Sequence, residues 1–254
     1  MSEAPAKRLL QSTGFDGDDG SADPELAAAL IDYQRGERDR YSLYSVLAGK
    51  RVLAPIVAVL GESEQAGVSA AGVALKRDKD SDMALVTLVA GDGAKAVPVF
   101  TSAERLIAWG AGAGYPEARP VPISIELAAA ASLQEQADAL LLDLGSVQQF
   151  ELTGSALRAF ADGRVPLPPD SDPEVVSALT SALRSVPELA AVLTEARIGA
   201  FTEGAVLELG FKPGVDPHSL TEPLRRAAEA ISADPILRDR LGEGLSITTT
   251  AAQS

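Results

Sequence analysis

The sequence predicts a mixed α/β (α+β) protein made of two α/β parts joined by a proline-rich linker. Three observations carry that expectation. Apolar residues at helical spacing alternate along the chain with short apolar runs of strand length. The stretch 165–173 (VPLPPDSDP) holds four prolines with Asp170 and Asp172, a composition suited to a spacer rather than to a paired element. At 254 residues the chain is long enough for two ordinary domains. The expected division is a flexible tail over 1–22, an α/β domain over 23–164, the linker over 165–173 and a smaller α/β domain over 174–254.

Each element has a local reason. The tail contains Gly14-Phe15-Asp16-Gly17-Asp18-Asp19-Gly20, polar and glycine-rich. Asp23-Pro24-Glu25 is a helix start, with a capping carboxylate and a proline at the first helical position. Leu26, Leu30 and Tyr33 follow at helical spacing, and a second helix is expected over about 37–48. The run 52–60 (VLAPIVAVL) reads as a buried strand in which Pro55 points to an edge or a bulge. Strands over 73–75, 84–90 and 95–100 form a meander around polar turns. Thr101-Ser102-Ala103-Glu104 has capping-box spacing, with Thr101 as the cap and a helix running to about Trp109. Trp109, in phase with Leu106, is expected in the core. A loop over 110–117, a helix over 125–136, strands over 139–144 and 149–152 and a helix ending at Gly163 complete the first part. The second part reads as a helix over 174–186, a hairpin from 189–200 to 204–211, a helix over 219–233 and a strand over 245–250, in the order α-β-β-α-β.

Composition excludes several functions. The net charge of −14 and pI near 4.5 oppose binding through phosphate neutralisation. No basic arm rescues it, because residues up to 166 hold 15 Lys and Arg against 23 Asp and Glu, and those beyond hold 7 against 13. The absence of cysteine removes disulfides, thiolate metal sites and a Cys nucleophile. No apolar stretch approaches a membrane span or a signal peptide's apolar segment, so a bacterial cytoplasmic protein is expected, with neither nucleic acid nor membrane as partner.

No candidate motif is intact. His218 is the only histidine, and an exposed position before a helix is the simpler reading. Ser69 in Gly67-Val68-Ser69-Ala70-Ala71 is a broken nucleophile elbow without a preceding strand. Asp78, Asp80 and Asp82 begin like a calcium loop, but Met83 and Val89 stand where Gly and Glu are needed. The run 16–23 fails likewise at Ser21 and Ala27. Gly110-Ala111-Gly112-Ala113-Gly114 lacks the strand before it and the Lys and Ser/Thr of a phosphate loop. No cofactor, metal or catalytic residue is expected.

The order of one block is more specific than any motif. After a strand ending in proline, Val97-Pro98-Val99-Phe100-Thr101-Ser102 leads to Trp109. An Ala-rich helix, the strand Leu140-Leu141-Leu142-Asp143-Leu144-Gly145 and a helix over 152–163 follow. This order resembles the N-terminal domain of the SseB family from about residue 24 to 163, and the segment beyond the linker resembles the family's C-terminal domain. Members often have Asn-Pro or Asp-Pro where this chain has Asp143-Leu144. The resemblance implies an α/β fold and no known catalytic residue.

The expected function is therefore a non-enzymatic protein-interaction or regulatory module with a protein partner. A small-molecule sensor and an enzyme using carboxylates and serine stay open as alternatives. The expected contact surface lies near the loops 61–72 and 110–117, with Tyr115, Glu117 and Arg119 as the partner-contact residues.

Overall fold

Asp23 and Pro24 open the first helix as their order predicts: in α1 (Pro24–Gln34) the Asp23 carboxylate accepts from the Leu26 N–H at 3.0 Å, and Leu26, Ala29 and Leu30 are buried. The computed structural model describes residues 14–15, 17–58, 83–201, 204–242 and 244–251, which fall into two compact units that part between Val165 and Pro166. The second helix, α2 (Arg40–Leu47), starts three residues later than expected because the Asp39 carboxylate caps it, accepting from Tyr41 and Ser42 N–H groups at 2.9 and 3.0 Å.

The first unit holds two sheets. β1 (Arg51–Ala58) lies between β2 (Met83–Leu85) and β5 (Arg119–Ser124), all antiparallel. The second sheet runs β3 (Leu88–Val89), β4 (Lys95–Val99), β6 (Ala139–Leu142), β7 (Phe150–Thr153), and its central pair β4 and β6 is parallel. The expected strand over 84–90 is thus divided between two sheets. Leu53 and Phe100 exchange both backbone hydrogen bonds, at 2.7 and 2.9 Å, and so tie β1 to the end of β4. The expected strands over 73–75 and the residues 59–82 around them lie outside the described residues.

Pro55 was expected at an edge or bulge, yet β1 is the central strand. The reason is alternation. Leu53 turns its N–H and C=O away from β5 toward Phe100, so Pro55, two residues on, also faces away from β5. There its carbonyl accepts from the Val86 N–H at 3.2 Å, and opposite it stands Pro120, which needs no partner either. A central strand tolerates proline where the missing donor faces away from the longer ladder.

Alternation also gives β1 two covered faces. Val52, Ala54 and Ile56 join the main core with α1, α2, α4 (Ile125–Gln134) and α5 (Gly154–Ala161). Leu53 and Val57 face the opposite way, where α3 (Ala103–Ala113) supplies Leu106 and Trp109. Each buried Leu or Ile here contributes about 1.5–3 kcal/mol by leaving water.

The second unit has its own core. Its sheet runs β8 (Leu193–Phe201), β9 (Gly204–Phe211), β10 (Leu245–Ala251), with β8 and β9 antiparallel and β9 and β10 parallel. The α-β-β-α-β order holds, with more helix than expected. The helix α6 (Pro173–Arg184) is followed by α7 (Pro187–Val192), which occupies the start of the expected strand over 189–200. After a short turn of 3-10 helix (Pro217–Leu220), α8 (Thr221–Ala233) is followed by α9 (Pro235–Arg240), which the sequence reading missed. Along β9, Ala205, Leu207, Leu209 and Phe211 are buried and alternate with more open positions, so one face of this sheet carries the core.

Two of the expected unstructured segments are partly folded. Pro169 and Asp172 of the linker are buried, and Asp172 caps α6. Gly20 of the tail accepts from the Ala103 N–H at 2.8 Å, and Asp18 pairs with Arg51 at 2.6 Å. A side chain at Gly20, whose φ is +76°, would meet the Ala103 Cβ at 2.9 Å, so glycine is required where the tail crosses this helix.

Candidate functional site

Parallel strands end at β4 and β6, and the C-terminal ends of such strands are where open α/β sheets usually hold ligands. The chain leaves β6 through Asp143, a non-glycine residue at φ +53° with no exposure at all. Its N–H donates to the Val99 carbonyl at 2.8 Å, continuing the parallel ladder by one step. The left-handed turn aims the carboxylate at the start of α3. One oxygen accepts from the Thr101 N–H at 2.8 Å; the other accepts from the Thr101 hydroxyl at 2.8 Å and from the Arg105 guanidinium. Arg105 also donates to the Gln148 side chain at 2.9 Å.

Thr101 is held from its other side as well. Its carbonyl accepts from Arg51 at 2.7 Å, and the same guanidinium holds Asp18 and the Ser21 carbonyl. The capping box therefore fails. Ser102, one residue later, caps α3, accepting from the Arg105 N–H at 3.3 Å, because the Thr101 hydroxyl is committed to Asp143. With Ser102 on one amide and Gly20 on another, two N–H groups that a phosphate would need at this helix start are occupied. The corner is a polar brace, and a carboxylate that accepts three hydrogen bonds in a buried place holds strands and helix in register.

The structure separates the expected contact residues by burial. The segment over 110–117 is not an open loop: α3 continues to Ala113, and Gly114 ends it in the left-handed region at φ +86°. Gly110 lies inside the helix because the chain folds back on it; a Cβ there would come within 2.7 Å of the Tyr115 carbonyl. Tyr115 is buried, its ring stacked on Trp109 at 5.6 Å, and burial raises its hydroxyl pKa. Only Glu117 and Arg119 are exposed. Trp109 is half-buried between Phe100 and Tyr115, so it is a packing residue that keeps one exposed side. His218 is exposed in its 3-10 turn. Ser69, the run Asp78, Asp80 and Asp82, and the loop over 61–72 lie outside the described residues. Among the described residues no three His, Cys, Asp or Glu side chains group as a metal site, and no helix is long and apolar enough to cross a membrane.

The open surface lies elsewhere. In the second unit a groove of about 390 Å³ runs between α6 and the edge strand β8. Val176, Leu179 and Leu183 line its helix side, and Ala196, Ile198 and Leu207 its sheet side. Val176 is 42% exposed, and Asp170 and Arg197 stand at the rim. Sequence reasoning missed this groove because each lining residue has the spacing of an ordinary core position.

Comparison with known families gives one finding. Residues 26–159, more than half of the chain, match the family of the SseB protein N-terminal domain. The chain belongs to the SseB family. The match takes in α1 through nearly all of α5, including Thr101, Arg105 and Asp143, and stops before the second unit. Neither the curated proteins nor the solved structures contain a match.

Proposed function

We propose that this SseB-family protein is a non-enzymatic interaction module whose contact surface is the α6–β8 groove. The observation that supports the reading is the groove itself: apolar side chains from a helix and from a sheet edge that is unpaired among the described residues stand open together. Such a pairing offers a partner both backbone hydrogen bonds along the edge and side-chain pockets beside it. In the first unit the Asp143 carboxylate is engaged by Thr101 and Arg105.

Capture from cell lysate by the full chain tests the reading. Val176→Asp places a charge in the groove at an exposed helix position, where it leaves folding nearly unchanged. Loss of the captured proteins from this variant, at an unchanged melting temperature, is the expected outcome. Identical capture by wild type and variant would remove the groove from the account.

A further inference from the structure

We infer that the groove's partner is a second copy of this chain, joined edge to edge through β8 in a two-fold, antiparallel pair. The inference rests on the reading of the groove as a contact surface and names what covers it. Among the described residues β8 is hydrogen-bonded on one side only, to β9, and it spans nine residues without a Lys or Pro to blunt its open edge. Phe201 stands opposite Gly204 at the hairpin end, and by antiparallel alternation Ala196 and Ile198 turn their N–H and C=O groups to that free edge.

Opposite-charge pairing favours one register. Glu195 and Arg197 flank Ala196 along β8, both well exposed and paired with each other at 2.6 Å, with Arg197 at the rim of the groove. A two-fold axis through Ala196, perpendicular to the sheet, brings Glu195 opposite the partner's Arg197 and Arg197 opposite the partner's Glu195. Centring the axis on Glu195 or on Arg197 would instead place like charges face to face, which destabilises a strand pair. Ala196 then meets its own mate at a position where both backbone bonds can form. The same axis keeps both α6 helices on one face of the joined sheet, so the two grooves meet across the seam and Val176 is covered. The other free edge, β10, carries no charged residue that could select a register.

Sedimentation velocity of the full chain from about 1 to 100 µM, a range in which a modest interface responds to mass action, provides the test. The wild type is expected to dimerise. Glu195→Arg and Arg197→Glu should each weaken the dimer about tenfold or more through two like-charge contacts. An equimolar mixture of these two variants should recover dimers, because every cross-strand pair is then opposite in sign, and so should the double swap in one chain. A monomeric wild type, single variants that dimerise as the wild type does, or a mixture that stays monomeric would overturn the proposal. These failures are separable from failure of the interaction reading. A monomeric wild type whose lysate partners are lost in Val176→Asp fails only the self-association proposal.

Discussion

Asp143 in the first unit and Asp172 in the second are both buried carboxylates paired with an arginine, but they are wired differently. Asp172 caps the helix that follows it, accepting from the N–H groups of Glu174 and Val175 at 3.0 and 3.4 Å, and Arg240 adds a bond at 2.7 Å from α9. Asp143 serves no helix of its own. Its three donors come from Thr101 and Arg105, across 42 and 38 residues of chain. The first device stabilises a local turn and adds a clamp; the second fixes the relation of two parallel strands to the helix between them. The contrast teaches that equal burial does not mean equal wiring: Asp172 caps its own helix and adds Arg240 from 68 residues away, whereas Asp143 takes all of its donors from 38 and 42 residues away.

Removing each carboxylate should expose that difference. Asp143→Ala leaves the buried Thr101 amide and hydroxyl without their acceptor and strips Arg105 of its counter-charge, so a cost of about 3 kcal/mol is expected in urea unfolding of the whole chain. Asp172→Ala should cost about 2 kcal/mol, since the lost cap is a local term and Arg240 keeps its contact with Glu174. If the two variants are equally destabilised, the distinction in wiring has no energetic content.

The brace can be sharpened one atom at a time. Thr101→Val deletes one hydrogen bond to an ionised group and should cost about 1.5 kcal/mol. Ser102→Ala deletes the cap and should cost about 1 kcal/mol. Their chemical denaturation midpoints check the assignment of cap and brace; a neutral Ser102→Ala would return the cap to Thr101.

The smallest effect belongs to an exposed cap. The Ser42 hydroxyl and backbone N–H hold the Asp39 carboxylate below the usual range, so its contribution is present above the pKa of the unfolded chain. It is lost as the pH falls through the lowered folded value. The stability gap between wild type and Asp39→Ala should therefore narrow toward acid. A gap that stays constant through that window would contradict the linkage.

These contrasts also explain what could be read from sequence. Asp23-Pro24 announced α1 because cap and proline act on adjacent amides. The same Asp-Pro pair at 172–173, 216–217 and 234–235 marks three further helical starts; the first lies one residue before the helix expected over 174–186, and the last was hidden by a neighbouring helix. The brace was not legible. Thr101 and Glu104 have the spacing of a capping box, and only the distant Asp143 decides that the hydroxyl points elsewhere. The glycine-rich segment after Trp109 misled for a related reason: Gly110 is there for the close approach of Tyr115, a tertiary contact that a local pattern reads as a loop. The groove was hidden because Leu179 and Leu183 obey helical periodicity whether or not a strand closes over them.

Trp109 is the only tryptophan, and it lies on the helix that Asp143 anchors, so its fluorescence reports the first unit. Urea unfolding followed by that fluorescence, for wild type, Asp143→Ala and Asp172→Ala, tests the central claim most directly. The account predicts a midpoint that falls clearly for Asp143→Ala, and further than for Asp172→Ala. An unmoved midpoint in Asp143→Ala would show that the carboxylate does not hold this unit together.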